Sequence, residues 1–488
     1  MASLKELRTE RIKKLEALKQ LGINPYPIES NQGQTIAVAI GEFNSLAQAG
    51  KVLNLVGRIR AIRSQGALIF FNFDDDTATL QALLKKDGMV GEDFECFQNL
   101  VDIGDFVQVS GTLFLTKKNE KTIQVKSWKM LVKSLRPLPD QWGGLQDIEE
   151  RFRRRYLDSL MSPEIKARFI FRSKLITAIR TFLNKAGFLE VETPILQPQA
   201  GGATAKPFKT HHDALNLDIF LRISEELYLK RMMIGGFPRI YSVSHNFRNE
   251  GVDTTHNPEF TMLEFYEAYS TAKAERSFIE KMIKTLVKQL TGGTAIHFNG
   301  QAIDFNGKFK MVTYFDLLKR YALITDPQKI KREDLLLKAS QLAAKVEKTD
   351  SQEKLFDAIY KKVCRPKLIQ PTFIIGYPKD YLPLAKRQED NPGLVDAFQL
   401  IVGGMEIVKA FSELNDPIDQ AERFAIQDEQ GTSGDDEAQK TDQDFIEALE
   451  YGMPPAGGVG IGIDRLTMLL TDTHNIREVI YFPTMRPR

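Results

Sequence analysis

The residue pattern of this 488-residue chain changes sharply along its length, and that change limits the folds open to it. Between Val52 and Val132, five short apolar runs alternate with turn residues. Runs of this length and spacing are typical of strands in an all-β unit. From residue 151 onward, longer helical patterns alternate with strand-like runs, and the chain is too long for a single core. The sequence therefore predicts a small β unit followed by a larger α+β unit.

The β unit is predicted to be a closed barrel of five strands. Its strand-like runs cover residues 52–62, 67–73, 79–84, 106–115 and 122–131. Five short strands in roughly eighty residues match the oligonucleotide/oligosaccharide-binding (OB) type of barrel, which presents a face and loops to single-stranded nucleic acid. Because strand alternation buries every second side chain, some phenylalanines here belong to the core. Arg63 and Phe70 are the better candidates for stacking and phosphate contacts.

The domain boundaries follow from helix patterns and chain breakers. The predicted parts are residues 1–50 (N-terminal helix and connector), 51–135 (barrel), 136–150 (linker) and 151–488 (α+β domain). Pro137 and Gly143-Gly144 mark the linker. A helical, lysine-rich insertion is predicted at about 273–365, and an acidic segment, residues 427–444, is predicted to be a solvated loop.

Composition excludes several classes of protein. The net charge of +2 is nearly balanced, so any nucleic acid must be held by local basic patches. The two cysteines, Cys96 and Cys364, have neither disulfide-framework nor metal-ligand spacing, which indicates a reducing compartment. No apolar stretch has the form of a signal peptide or the length of a membrane span. We therefore expect a cytoplasmic protein with no membrane partner.

Two widely separated parts of the chain carry the chemistry. Residues 247–250 (FRNE) and 256–260 (HNPEF) form the first, and residues 460–465 (GIGIDR) form the second. Each places an arginine, Arg248 or Arg465, beside small, acidic or aromatic residues. Guanidinium groups grip phosphates through paired hydrogen bonds, and an aromatic ring can stack an adenine. These segments predict an ATP site that activates a carboxylate.

Several ordered motifs carry a family resemblance. Residues 187–194, 247–264 and 460–465 are similar to motifs one, two and three of the class II aminoacyl-tRNA synthetases. Three further segments narrow the resemblance to one family within this class, namely residues 207–212 (PFKTHH), 226–231 (ELYLKR) and 411–416 (FSELND). The chain resembles the class II lysyl-tRNA synthetases over nearly its whole length.

The resemblance implies a fold and a reaction. The expected catalytic domain is an antiparallel sheet flanked by helices, with motif one around Pro194 building a homodimer interface. The expected reaction joins L-lysine to ATP as a lysyl-adenylate and then transfers the lysyl group to tRNA(Lys), with Mg²⁺ as the cofactor. Catalytic roles are implied for Arg248 and Arg465. The implied ATP-binding residues are Arg248, Glu250, His256, Asn257, Phe260, Glu406 and Arg465.

A lysine substrate needs negative charge, because burying an ammonium group without a partner is costly. Glu264 and Tyr266 are two positions apart in a strand-like run, so they share one face. Taken alone, Glu226 is explained as a carboxylate that favours a helix start. The resemblance instead implies that it binds the substrate's α-amino group. The implied lysine-binding residues are Gly202, Glu226, Glu264, Tyr266, Phe411 and Glu413.

In the barrel, the resemblance implies four contacts to the tRNA anticodon. The residues are Arg63, Phe70, Gln81 and Glu120. Stacking on a phenylalanine, with hydrogen bonds to base edges from arginine and glutamine, suits a uridine-rich anticodon.

The sequence departs from the family on one hairpin. The family commonly places two glutamates there to hold Mg²⁺, but here Gln399 stands at the first position and only Glu406 remains as an acid. Lys409 stands where asparagine is usual. We expect the Lys409 ammonium to replace part of the metal charge, which leaves the number of metal ions open. The alternative is that Lys409 points to solvent or pairs with a neighbouring acid.

The hairpin also raises a geometric requirement. With Gly403-Gly404 as a two-residue turn, Gln399 and Glu406 share a face that Lys409 does not share. A β-bulge is therefore required if all three reach one ligand.

Two other functions remain open at this point. One is an enzyme of the same fold that transfers lysine to a protein, and the barrel argues against it. The other is a non-catalytic paralogue that binds tRNA or lysine, and the intact Arg248, Glu264, Glu413 and Arg465 argue against it. An aspartyl or asparaginyl enzyme would need cations rather than glutamates around the substrate side chain.

Overall fold

A computed structural model describes residues 3–139, 145–432 and 441–487. The chain divides into two compact units, residues 1–146 and 147–488, each with its own hydrophobic core. Part of the predicted linker, residues 140–144, lies outside the described residues.

The first unit is a closed five-stranded barrel with helices packed on it. Its elements are α1 Leu4–Gln20, α2 Ile36–Gly41, α3 Phe43–Gln48, β1 Val52–Gln65, β2 Leu68–Asp74, β3 Thr79–Lys85, α4 Asp93–Leu100, β4 Phe106–Leu115 and β5 Lys121–Val132. The strand order around the barrel is β1-β2-β3-β5-β4, with only the β3–β5 pair parallel. The predicted OB-type barrel is confirmed strand for strand.

Alternation along β2 separates the core of the barrel from its surface. Phe71 and Phe73 are buried, whereas Phe70 between them is only partly buried. The Phe71 ring lies 5.0 Å from that of Phe97 on α4. Helices α2 and α3 place Ile36 and Phe43 in the same core. The connector that precedes the barrel is therefore part of its packing.

The second unit is built from the remaining elements. They are α5 Ile148–Arg153, α6 Arg155–Met161, α7 Pro163–Lys185, β6 Leu189–Glu190, β7 Leu196–Gln197, β8 Lys209–His212, β9 Leu217–Leu221, α8 Glu226–Ile234, β10 Arg239–Phe247, β11 Glu259–Ala268, α9 Ala272–Thr291, β12 Ala295–Phe298, β13 Gln301–Asp304, β14 Lys310–Thr313, α10 Tyr314–Ala322, α11 Arg332–Gln341, α12 Gln352–Ile359, β15 Thr372–Ile375, β16 Ala397–Val402, β17 Met405–Ser412, α13 Pro417–Thr432, α14 Gln443–Glu450, β18 Ala456–Gly462 and α15 Ile463–Leu470.

The main sheet has eight strands in the order β14-β15-β16-β17-β18-β11-β10-β6. Its six central strands are antiparallel, as predicted, but the two edge pairs β14–β15 and β10–β6 are parallel, so the sheet is mixed. On β11, Leu263 and Phe265 pack into the core that α7 and α9 cover. Glu264 and Tyr266 alternate with them and face the opposite side, where the candidate site lies.

Helices continue into stretches where the sequence indicated other structure. Helix α13 extends to Thr432 and α14 begins at Gln443, so the acidic loop predicted for residues 427–444 is wrong at both ends. Residues 433–440 lie outside the described part of the chain.

The stretch predicted as an insertion, residues 273–365, is shared between two hydrophobic cores. Helix α9 packs on the main sheet, whereas α10, α11 and α12 form a cluster of their own. Among the described residues, no helix is long and apolar enough to cross a membrane.

Neighbouring phenylalanines on β2 offer a matched test of the barrel. We expect Phe71→Ala to lower the free energy of unfolding by about 3–5 kcal/mol, because it empties a buried site. Phe70→Ala should change it by less than about 1 kcal/mol, because this ring is only partly buried. Urea unfolding followed by tryptophan fluorescence measures both, since Trp128 lies on β5 of this unit. Equal losses for the two variants would contradict the register.

Candidate active site

A cleft of about 480 Å³ opens on the polar face of the main sheet. Strands β11, β17 and β18 and the loop that joins β10 to β11 supply most of its walls. The cleft brings together the residues predicted to bind ATP and lysine, with Lys409 among them. They are Gly202, Glu226, Arg248, Glu250, His256, Asn257, Phe260, Glu264, Tyr266, Glu406, Lys409, Phe411, Glu413 and Arg465. Gln399 is not part of the lining.

One end of the cleft is acidic, and Glu264 lies at its centre. Its carboxylate accepts hydrogen bonds from the Ser224 hydroxyl at 3.0 Å and from the Tyr266 hydroxyl at 3.3 Å. Burial and the nearby Glu225 and Glu226 raise the pKa of Glu264 to about 8. The carboxyl group therefore holds a proton at neutral pH until a cation enters the cleft.

A lysine of the protein itself, Lys230, is buried beside these acids. Its ammonium lies 2.6 Å from Glu226 Oε1 and forms a second ion pair with Glu413. It also lies 5.6 Å from the centre of the Phe411 ring. Burial opposes its charge, but the two glutamates outweigh this and raise the pKa of Lys230. Lys230 is not among the site residues predicted from the sequence. It follows Glu226 by four positions, so the two side chains lie on the same face of α8.

Glu413 keeps one oxygen available to a ligand. Its Oε1 atom is buried and accepts no hydrogen bond from any residue that the structure describes. An unpaired buried carboxylate oxygen is costly, which is why burial raises the pKa of Glu413 well above its usual range. The atom therefore offers an acceptor for a donor that enters the cleft.

Gly458 on β18 leaves the room for this arrangement. It lies opposite Tyr266 on one neighbouring strand and Phe411 on the other. A Cβ at this position would overlap the Glu413 carboxylate and the Tyr266 ring. Glycine is thus required here by close approach of side chains rather than by a backbone angle.

The other end of the cleft carries arginines. The Arg248 guanidinium lies 5.0 Å from the centre of the Phe260 ring, and burial lowers its pKa. Arg465 Nη1 donates to the backbone oxygen of Glu406 at 3.4 Å, and its Nη2 lies 2.9 Å from His256 Nε2. The opposite ring nitrogen of His256 lies 2.9 Å from a carboxylate oxygen of Asp253. Because a guanidinium group can only donate, His256 Nε2 is assigned as the acceptor from Arg465 and Nδ1 as the donor to Asp253.

Asp464, next to Arg465, fixes the strands behind the site. One of its oxygens accepts from Arg172 at 2.6 Å, and the other accepts from the backbone N–H of Thr261 at 2.7 Å. Motif three is thereby tied to helix α7 and to β11. Arg465 keeps its orientation because the preceding residue is anchored.

The β16–β17 hairpin contains the required bulge. Gly403 and Gly404 form the turn with φ of 59° and 74°, which suits a two-residue turn of positive φ. Leu400 pairs with Val408 and Ile401 with Glu406, so Ile407 is the extra residue. The bulge brings Glu406 onto the face that carries Lys409.

Gln399 lies opposite Lys409 across the hairpin, but it does not reach the cleft. Its Oε1 accepts a hydrogen bond from the Tyr377 hydroxyl at 2.8 Å. Within residues 3–139, 145–432 and 441–487, no group of three or more His, Cys, Asp or Glu side chains is arranged to hold a metal ion. Glu406 stands as a single carboxylate beside Lys409. This donor set does not fit the two-carboxylate magnesium site of the resemblance.

Two further cations, Lys361 and Arg365, line the cleft near Glu406. Both lie in the stretch of residues 273–365, which the sequence predicts to be a helical insertion, and neither is among the predicted site residues. Only the tertiary fold brings this stretch to the hairpin. A search of the sequence for local motifs could not have found them.

In the barrel, Arg63 and Phe70 lie opposite each other on β1 and β2. Arg63 is exposed and Phe70 is partly buried, as expected of outward-facing positions. Gln81 is only 6% exposed, and its Oε1 accepts from the Thr122 hydroxyl at 3.2 Å. Glu120 is exposed in the turn before β5. The barrel thus presents an aromatic ring and a cation side by side.

Comparisons with known proteins agree with this geometry. Residues 147–486 match the family model of class II tRNA synthetases (D, K and N), and residues 53–131 match the OB-fold nucleic acid binding domain. The chain is 44% identical over 486 residues to the lysine–tRNA ligase of Moorella thermoacetica, covering 99% of this chain and 98% of the relative. It is 45% identical to that of Roseiflexus sp. over 99% of both chains, and 47% identical to that of Aquifex aeolicus over 89% of this chain and 73% of the relative. The chain belongs to the lysine–tRNA ligase family of class II tRNA synthetases.

Proposed function

We propose that the cleft joins L-lysine to ATP as a lysyl-adenylate and that the enzyme then transfers the lysyl group to tRNA(Lys). One observation carries this proposal, namely the charge balance at the acidic end. Three carboxylates, Glu226, Glu264 and Glu413, share that end with one internal ammonium, Lys230. When all are ionised, two negative charges remain unbalanced. L-lysine carries two ammonium groups and matches them.

Each part of the substrate then has a partner. Glu226, at the start of α8, receives the α-ammonium group, with Gly202 beside it. Glu264 and the free oxygen of Glu413 receive the side-chain ammonium, and Tyr266 orients Glu264. The Phe411 ring covers the aliphatic part of the substrate.

Arg248 lies where the substrate carboxylate must meet ATP. In the first step, a carboxylate oxygen of lysine attacks the α-phosphorus, and the bond to the departing pyrophosphate breaks. Negative charge grows on the α-phosphate and on the leaving group, so fixed guanidinium groups lower the barrier. Arg248 serves the α-phosphate, Arg465 serves the distal phosphates, and Phe260 stacks the adenine. Glu250, His256 and Asn257 complete the ATP contacts.

In the second step, a hydroxyl of the terminal ribose of tRNA attacks the carbonyl carbon of the adenylate, and AMP leaves. The barrel supplies the tRNA specificity by stacking an anticodon base on Phe70. Arg63 contributes a phosphate or base-edge contact next to that ring. Glu120 in the turn before β5 and Gln81 on β3 add further contacts to the anticodon.

Metal, assembly and location complete the proposal. The hairpin can offer at most one carboxylate, Glu406, to any Mg²⁺ ion that accompanies ATP, because Gln399 is committed to Tyr377. The chain forms a homodimer through motif one, where the apolar residues Ile195 and Leu196 beside Pro194 are half exposed. The enzyme works in the cytoplasm, which suits its free cysteines.

Lysine binding should release a proton and strengthen as the pH rises. Free Glu264 is protonated below its pKa of about 8, and the substrate ammonium stabilises the ionised form. Affinity should therefore rise by up to about tenfold per pH unit between pH 6 and 8 and level off above that range. Isothermal titration calorimetry in buffers of different ionisation enthalpy measures both the affinity and the protons released. Constant affinity over this range would contradict the assignment of Glu264.

Lysine-dependent ATP–pyrophosphate exchange, followed by charging of tRNA(Lys), tests the function. We expect exchange with lysine alone among the amino acids. Glu413→Gln should lower it by at least about 100-fold, because a neutral amide cannot balance an ammonium. Glu447→Gln, an exposed glutamate on α14, is the control and should have no effect.

Other outcomes separate the alternatives. Exchange without tRNA charging would favour an enzyme that lysylates a protein. Lysine binding without exchange would indicate a non-catalytic paralogue. Equal exchange with another amino acid would refute the proposed substrate.

A further inference from the structure

The ATP end of the cleft contains more cationic side chains than acidic ones. Beyond Arg248 and Arg465, it is lined by Lys361, Arg365 and Lys409. The acids at this end are Glu250, Glu406 and Asp464, and Asp464 is paired with Arg172. A polyphosphate that enters this region meets an excess of fixed positive charge before any metal ion is added.

Lys361 and Arg365 occupy an unusual piece of backbone. Helix α12 runs into a π-helical turn, Tyr360–Cys364, and then into a 3-10 turn, Arg365–Lys367. Single π-helical turns occur frequently at functional sites. This turn brings two cations of the α10–α12 cluster to the wall of the ATP end.

The turn is held against the hairpin that carries Glu406 and Lys409. The backbone N–H of Gly403 donates to Ile369 at 2.9 Å, and that of Gly404 donates to Leu368 at 3.0 Å. Burial raises the pKa of Tyr360, Glu406 raises it further and Arg365 lowers it, so both side chains lie near that hydroxyl. Arg365, Glu406 and Lys409 are thus grouped at one wall.

These cations remain available to an anion. Arg365 Nε is buried and has no hydrogen-bond partner among the residues that the structure describes. Lys361 is paired at 2.7 Å with Asp357, an exposed pair that contributes little and can open. The Lys409 side chain is accessible from the cleft, and burial of its surroundings lowers its pKa while Glu406 opposes that shift.

We propose that Lys361, Arg365 and Lys409 neutralise the ATP polyphosphate in place of divalent metal, so that this chain binds ATP without Mg²⁺. The hypothesis rests on the proposed function only for the position of the nucleotide. Three observations support it together: the single carboxylate of Glu406, the amide of Gln399 bound to Tyr377, and the unpaired Arg365 Nε. Fixed ammonium and guanidinium groups supply the charge that phosphates require.

The test is the affinity for ATP, in the absence of lysine, measured by calorimetry in EDTA and in excess Mg²⁺. The wild-type chain should bind ATP in EDTA within about threefold of its affinity in Mg²⁺. The double variant Lys361→Ala/Arg365→Ala should lose at least about tenfold of the affinity in EDTA, equivalent to about 1.4 kcal/mol. Lys362→Ala is the matched control and should bind as the wild type, because this exposed neighbour does not line the cleft.

A second variant tests the hairpin independently. Lys409→Asn removes a cation that lines the cleft, so its affinity for ATP in EDTA should fall at least about threefold below that of the wild type. ATP binding by the wild type that requires Mg²⁺ would overturn the proposal. So would undiminished affinity in EDTA for the Lys361/Arg365 variant.

The outcome is distinguishable from failure of the proposed function. If ATP binds in EDTA but lysine supports no pyrophosphate exchange, the cationic site stands and the lysine assignment fails. If lysine supports exchange but ATP binds only with Mg²⁺, the lysine assignment stands and the cationic site fails.

Discussion

The two buried ion pairs of Lys230 hold the acidic end of the cleft together. They connect Glu226 on the first turn of α8 with Glu413 just after β17. Breaking one partner of a buried ion pair typically costs about 3–5 kcal/mol, because the remaining charge is left uncompensated. Lys230 therefore sets the separation of the two carboxylates and limits their net charge. In the proposed function, the binding of a doubly cationic amino acid depends on that limit.

Acidic side chains lie at one end of the cleft and cationic side chains lie toward the other. Adjacent strands β11 and β18 and the end of β17 place acids, a tyrosine and a glycine at one end. The arginines of motifs two and three and the cations near the hairpin lie toward the other. Under the proposed function, an amino acid and a polyphosphate bind at neighbouring places with opposite polarity. Their reacting groups would then meet at Arg248, between the two ends.

Much of this arrangement could be predicted from the sequence where local patterns decide it. Alternation along β2 distinguishes Phe71 from Phe70. The parity of the hairpin predicts a bulge if Gln399, Glu406 and Lys409 reach one ligand; the bulge is present at Ile407, although Gln399 does not reach the cleft. Ordered motifs locate the cleft residues. The functions of those residues follow from resemblance and remain proposals.

What the sequence could not reveal depends on contacts between distant segments. Lys361 and Arg365 reach the cleft only because their turn packs on the β16–β17 hairpin. Gln399 shares a face with Lys409, yet its amide is bound by Tyr377, a residue outside every motif. The acidic composition of residues 427–444 suggested a loop, but α13 continues to Thr432 and α14 begins at Gln443. Tertiary packing overrides composition at each of these places.

Lysine and ATP affinities of a Lys230→Met variant, measured separately by calorimetry, test the central claim most directly. Without the internal ammonium, the acidic end loses both its charge balance and the spacing of Glu226 and Glu413. The account predicts that lysine affinity falls by at least about tenfold while ATP affinity stays within about threefold of the wild type. Undiminished lysine affinity in this variant would contradict the charge-balance account.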